Sequence, residues 1–210
     1  MRAKKVEFEV TYITKDSKPK WFLGVSPHGK VPVLKVNNEV LFESNAIAEF
    51  LDEVIDPQLA PSNPIERARH RAWTDFTGGW AGALNKVNYA KTKKEHMSAL
   101  EDLPVTLQKL ENALSQRKNN GPYFSGNKLC LVDAAYAPFL MRFNIVETIN
   151  PSGILEAFPK ITAWSDALLT NEHVIGSVSE DFLEVFEANL YKKESLAAKI
   201  LDARSTTTSD

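Results

Sequence analysis

Apolar positions in this chain fall first into two short runs at strand spacing and then into long stripes at helical spacing. Val33 to Val36 and Val40 to Phe42 are β-prone runs separated by Asn37-Asn38-Glu39. Asn accepts a positive φ more readily than most residues, so this spacing predicts a hairpin with a tight turn. The second strand leads directly into Glu43-Ser44-Asn45, after which Ile47, Phe50, Leu51 and Val54 recur at helical spacing until Asp56-Pro57 stops the run. Ser44 therefore falls at a helix N-terminus, where free N–H groups and the helix dipole favour a carboxylate or phosphate. The first strand is entered through Val31-Pro32. If that bond is cis, the Val31 N–H and C=O turn away from the sheet and toward any ligand alongside.

Beyond Pro57 the pattern is helical throughout. Residues 58–62 read as a linker. Asn63-Pro64-Ile65-Glu66 supplies an N-cap, a proline at the first helical position and a carboxylate three residues after the cap. Ile65, Ala68, Ala72, Phe76, Trp80, Ala83, Leu84 and Val87 then form one apolar stripe. Trp73, Phe76 and Trp80 read as core. Gly78-Gly79 inside this helix costs about 1 kcal/mol per glycine and predicts close approach by another group. A second helix carries Met97, Leu100, Leu107, Leu110 and Leu114, with Pro104 expected to kink it. Further helical stretches lie around Ile161 to Leu169 and Asp181 to Leu201. The expected organisation is a first domain over residues 1–57, the linker, an all-α domain over 63–201 and a disordered tail over 202–210.

Composition narrows the function classes. The 210 residues, 43% of them hydrophobic, suffice for two modest domains with real cores. A net charge of −2 gives no electrostatic basis for a nucleic-acid partner. No apolar run spans a bilayer and no signal peptide is evident, so a membrane partner is not expected either. Cys130 is the sole cysteine, which excludes an internal disulfide and fits a reducing, cytoplasmic setting. It reads as a small buried hydrophobe and not as a nucleophile. The histidines lack metal-ligand spacing, so no metal is expected. Lys91, Lys93 and Lys94 read as a solvated helix end.

Lys18-Pro19-Lys20-Trp21-Phe22, then Ser26-Pro27-His28-Gly29-Lys30-Val31-Pro32-Val33-Leu34, then Glu43-Ser44 resembles the glutathione-binding half of the glutathione transferase family, and is similar to its omega class. The resemblance implies an α/β thioredoxin-like first domain followed by an all-α helical bundle. It also implies glutathione as cosubstrate. By the same resemblance Lys18 pairs with the glycine carboxylate of glutathione, the Val31 backbone bonds the cysteinyl part beside a cis Pro32, and Glu43 and Ser44 hold the γ-glutamyl end. The chemistry is coherent: an ammonium for one carboxylate, a helix N-terminus for the other, backbone bonds between. The likeness continues through Pro122 to Pro138, which resembles the family's signature in the buried helix of the all-α domain. There Asp133 is implied to sit at N3 and return a bond to the cap. The family usually has Ser or Thr at that cap; Cys130 is a poor acceptor and should weaken it by up to ~1 kcal/mol.

The front of the chain departs from the family. In relatives a strand and most of a helix precede the part that begins here as Ala3 to Val10, and the catalytic Cys, Ser or Tyr lies at that helix N-terminus. No residue here matches it; its expected position lies before Met1. Residues Val6 to Ile13 correspond to a strand that would flank the missing one. A misassigned start, a fragment or a loss of catalysis would each account for this. The activity implied is glutathione-dependent thiol transfer or reduction of small molecules. The substrate would be a small electrophile or disulfide and the assembly a homodimer. The alternative is a non-catalytic glutathione-binding or protein-interaction module.

Overall fold

The computed structural model describes residues 1–14 and 17–207, without the side chains of residues 206 and 207. The chain divides into two compact units, Met1–His70 and Arg71–Asp210. Helix α1 (Lys20–Val25) precedes strands β1 (Val33–Val36) and β2 (Glu39–Phe42), and α2 (Ser44–Val54) completes the regular structure of the first unit. The strands pair antiparallel in the register Val33↔Phe42, Leu34↔Leu41, Lys35↔Val40 and Val36↔Glu39. The turn is thus Asn37-Asn38 alone, with Asn37 at φ 55° as its residue type allows. Glu39, read from the sequence as part of the turn, is the first residue of β2.

Residues Val6 to Ile13 belong to no strand, contrary to expectation. A strand exists only as one member of a ladder, and among the described residues the sheet has β1 and β2 alone. Phe8, Val10 and Tyr12 are accordingly exposed.

What holds the start of the chain is a buried charge pair. Lys4, in a short 3-10 turn over Arg2–Lys4, sets its ammonium 2.8 Å from Asp52 of α2. The same ammonium donates to the carbonyls of Ile55 and Pro57, at the C-terminal end of α2. Asp52 also accepts the Leu59 N–H at 2.6 Å and the Ala60 N–H at 2.9 Å. The residues expected to form a free linker are thereby fastened to the first unit. Every polar atom of the pair has a partner, which is the condition for burying two charges without net loss.

In the second unit, α3 (Pro64–Asn88, which begins in the first) is followed by α4 (Lys93–Ser115), α5 (Leu131–Ile149), α6 (Pro159–Leu169), α7 (Glu172–Ile175), α8 (Phe182–Lys192) and α9 (Leu196–Thr207). Asn63 caps α3 as read from the sequence, accepting the N–H groups of Ile65 at 2.9 Å and Glu66 at 3.2 Å. The apolar stripe predicted along α3 is only half right. Trp80, Leu84 and Val87 are buried, but Ile65, Ala68 and Ala72 are exposed. Thr74 and Thr77 are buried instead, their hydroxyls donating to the carbonyls of Arg71 and Trp73. A threonine whose hydroxyl is satisfied within its own helix packs as an apolar residue, which a hydropathy pattern does not register. On α4 the buried face is Ala99, Leu103, Leu107, Leu110 and Leu114, with Met97 outside it; Pro104 lies within the helix.

Two buried carboxylates organise the bundle. Asp133, fully buried at N3 of α5, accepts N–H groups from Cys130 at 2.8 Å, Phe124 at 2.9 Å and the Trp164 indole at 2.6 Å. It ties the helix start, the preceding loop and α6 into one network, and the Cys130–Asp133 pair forms a capping box. Glu111 of α4 accepts the N–H groups of Lys160 and Ile161, both at 2.9 Å, and so caps α6, whose own N-cap residue Phe158 has no acceptor side chain. The tail expected after Leu201 is helical through Thr207, because α9 buries Ala197 and Ala198 against the Val146–Leu190 cluster and Arg204 donates to the Ile149 carbonyl at 2.8 Å. Residues 208–210 lie outside the described residues.

The glycines of α3 face open space. A Cβ built on Gly78, Gly79 or Gly82 would meet nothing within 4 Å, so no close approach among the described residues requires them. Gly79→Ala is therefore expected to stabilise the protein by about 1 kcal/mol in urea denaturation; a destabilised variant would show that something outside this chain fills the space. The Lys4–Asp52 pair makes a pH prediction. Burial alone would raise the Asp52 pKa, but the Lys4 ammonium and the Leu59 and Ala60 amides outweigh it and hold the carboxyl below its ordinary value. A depressed folded-state pKa contributes stability above the unfolded value of about 3.9 that is lost as pH falls through the folded one. The urea midpoint of the wild type should thus exceed that of Asp52→Asn at pH 7, with the gap closing progressively below about pH 4. A gap that persists unchanged at low pH would contradict this.

Candidate functional site

The hairpin register decides where the predicted binding residues meet. Because Val33 pairs with Phe42, the residues that enter β1 and those that leave β2 lie at the same end of the hairpin, opposite the Asn37 turn. Val31-Pro32 is on the entering side and Glu43-Ser44 on the leaving side. The Val31-Pro32 peptide bond is cis, and Val31 is 60% exposed. Glu43 is the N-cap residue of α2 and Ser44 its first helical residue, both exposed. Val31, Glu43 and Ser44 are thus gathered at one corner that is open to solvent.

The corner is strained on one side. Glu43 has φ 66° and ψ 119°, a conformation that costs a residue with a Cβ about 1–3 kcal/mol. Its carbonyl nonetheless accepts the first bond of α2, from the Ile47 N–H at 3.0 Å. The Glu43 side chain makes no capping hydrogen bond to that helix. A helix start whose N-cap side chain is not engaged suits a ligand carrying a carboxylate. Periodicity identified the helix start; the positive φ at Glu43 has no sequence signal, since most such positions are held by Gly, Asn or Asp.

Lys18 lies upstream, exposed, next to Pro19, the N-cap residue of α1. Between α1 and Val31 the chain makes the Ser26–Lys30 turn, with Gly29 at φ 59°. The His28 ring meets the Phe42 ring edge-on at 5.4 Å between centroids, joining this turn to the end of β2. Reading the sequence missed the Ser26 hydroxyl that closes the turn, and the Lys4–Asp52 pair that anchors the far end of α2; neither residue type announces such a role.

The remaining candidates are structural. Cys130 is 1% exposed, and burial together with the neighbouring Asp133 pushes its thiol far above the ordinary range, so no thiolate is available there. His96 is buried between the Val87 carbonyl and Asn150. Lys91 pairs with Glu194 at the surface. Trp80 is core, while Trp73 and Phe76 pack partly buried against it. Among the described residues no group of His, Cys, Asp or Glu side chains is placed to hold a metal ion, and no helix is long and apolar enough to cross a membrane.

Comparison with known proteins identifies the family and the fold. The glutathione S-transferase N-terminal domain model matches residues 1–54, and the C-terminal domain model matches residues 70–172. The chain is 30% identical over 184 residues to glutathione S-transferase U16 of Arabidopsis thaliana, covering 83% of this chain and 78% of that one. Glutathione transferase Omega 3C from Trametes versicolor superposes with a TM-score of 0.74 at 26% identity, over 85% of this chain and 80% of that one. Rice GST1, solved in complex with glutathione, has the same fold, with a TM-score of 0.76 at 24% identity over 91% and 89% of the two chains. Two family models that together cover most of the residues, in the order a thioredoxin-like α/β domain and then a helical domain, show that this chain belongs to the glutathione S-transferase family.

Proposed function

We propose that the chain binds glutathione at the open corner of the hairpin and takes part in glutathione-dependent thiol transfer or reduction of small molecules. The observation that carries this reading is the register that brings Val31 and Glu43-Ser44 to one end. In it, the Val31 backbone bonds the cysteinyl part of the tripeptide. Ser44 and the start of α2 receive the γ-glutamyl carboxylate, and Glu43 faces the γ-glutamyl ammonium. The Lys18 ammonium pairs with the glycine carboxylate. Each contact matches a donor or a charge with its complement, and the charged ones are the stronger kind.

The sulfur chemistry rests on glutathione itself. In reduction of a small disulfide, a glutathione thiolate attacks one sulfur, the disulfide bond breaks, and the departing thiolate takes up a proton. A second glutathione then attacks the mixed disulfide, so that two glutathione molecules are oxidised to one disulfide and the substrate leaves as two thiols. A small electrophile would take the same thiolate by addition or displacement. A homodimer in a reducing, cytoplasmic setting is the assembly we assign, in keeping with the family likeness and the lone, buried cysteine. The second reading, a glutathione-binding module without turnover, is favoured by that same observation, since Cys130 offers no reactive thiol.

Calorimetric titration with reduced glutathione tests the site. The wild-type chain should bind with measurable heat, and the double variant Glu43→Ala/Ser44→Ala should weaken binding about a hundredfold, as expected for losing charge-assisted bonds at both atoms of the γ-glutamyl end. No heat from the wild type, or a double variant that binds equally well, would defeat the proposal. Retention on glutathione-agarose without turnover of disulfide or electrophile substrates would select the binding module.

A further inference from the structure

One buried hydroxyl controls the peptide unit that presents Val31. Ser26 ends α1, its N–H donating to the Phe22 carbonyl at 2.8 Å, and it is 5% exposed. Its hydroxyl donates to the Lys30 carbonyl at 2.9 Å and accepts the Lys30 N–H at 3.0 Å. The Ser26 carbonyl meanwhile accepts the Gly29 N–H at 3.1 Å. A single side chain thus closes the turn on both polar groups of Lys30.

The consequence lies one atom further along. The Lys30 carbonyl and the Val31 N–H belong to one planar peptide unit, so fixing the direction of the first fixes the second. Val31 itself is 60% exposed, so side-chain packing holds it only in part. Pro32 follows and has no N–H, so it contributes no backbone donor of its own. The direction of the Val31 N–H therefore depends on the hydroxyl behind it. An alanine in this position would pack as well but would leave the Lys30 N–H and C=O, both part-buried, without their partner.

We infer that Ser26 is a positioning residue for the tripeptide ligand, acting through the Lys30–Val31 peptide unit and not by contact. The inference rests on the glutathione site proposed above and adds a residue to it that touches no ligand. The His28–Phe42 ring contact holds the outer side of the same turn, so the hydroxyl and the ring pair together set how the Val31 side and the Glu43 side of the corner face each other.

The test is calorimetric titration of the full chain with reduced glutathione. Ser26→Ala and the nearly isosteric Ser26→Cys should each raise Kd about tenfold, while Ser26→Thr, which keeps the hydroxyl at a backbone geometry threonine favours, should stay within about threefold of the wild type. Circular dichroism checks that each variant is folded, and if Ser26→Ala is not, the Cys and Thr pair carries the comparison. Folded Ala or Cys variants that bind as the wild type does would overturn the role of Ser26 and leave the glutathione site standing. A Thr variant as weak as the Ala variant would also overturn it, since volume and not the hydroxyl would then matter. A wild-type chain without binding heat would remove the underlying site and this inference together.

Discussion

Backbone pairing between Val33 and Phe42 is the constraint on which the site depends. A slip of one residue would turn the β1 and β2 side chains to opposite faces and carry Glu43 and Ser44 away from Val31. The pairing is held at both ends. Asn37 makes the tight turn with a positive φ, and the ring of Phe42 meets His28 of the preceding turn. Behind the hairpin, Lys4 and Asp52 fasten the C-terminal end of α2 to the beginning of the chain, so the helix that starts at Ser44 is anchored at its far end. The corner is a product of short elements, each weak alone, that share one register.

The second unit solves a different problem, how to tie helix starts to the segments around them. Asp133, at the start of α5, accepts the Phe124 amide and the Trp164 indole N–H, and Glu111 of α4 accepts the first amides of α6, which has no side-chain cap of its own. Burial raises the Asp133 pKa above the ordinary carboxylate value, and the N–H groups of Phe124, Cys130 and Trp164 offset this only in part. Such a carboxylate is retained because removing it would strand buried donors, each costing about 1–3 kcal/mol. Its chemistry is spent on folding, which is why a buried, perturbed carboxylate in this chain does not mark an active site.

Much of this was legible from residue order. The hairpin, the start of α2 at Ser44, the Asn63-Pro64 start of α3 and the N3 role of Asp133 all follow from local rules of turn and cap chemistry, or from family likeness where those rules alone are silent. The failures share a physical origin. Val6 to Ile13 has strand composition but no ladder among the described residues. Thr74 and Thr77 are buried with their hydroxyls satisfied inside the helix, so hydropathy placed the wrong residues in the core. The end of the chain looked disordered because Ser and Thr are frequent there, whereas the Arg204 bond to the Ile149 carbonyl and the buried alanines of α9 are tertiary facts. Ser26 escaped for a like reason: a serine before a proline reads as an ordinary turn residue until its two bonds to Lys30 are seen.

The account's central claim is that a peptide thiol is held where β1 begins and β2 ends. Amide chemical shifts of the isotopically labelled chain, followed through a titration with reduced glutathione, address it residue by residue. The account predicts that Val31, Glu43, Ser44 and their immediate neighbours move together along one binding curve. Shifts confined to residues elsewhere, or none at this corner while the ligand binds, would contradict it.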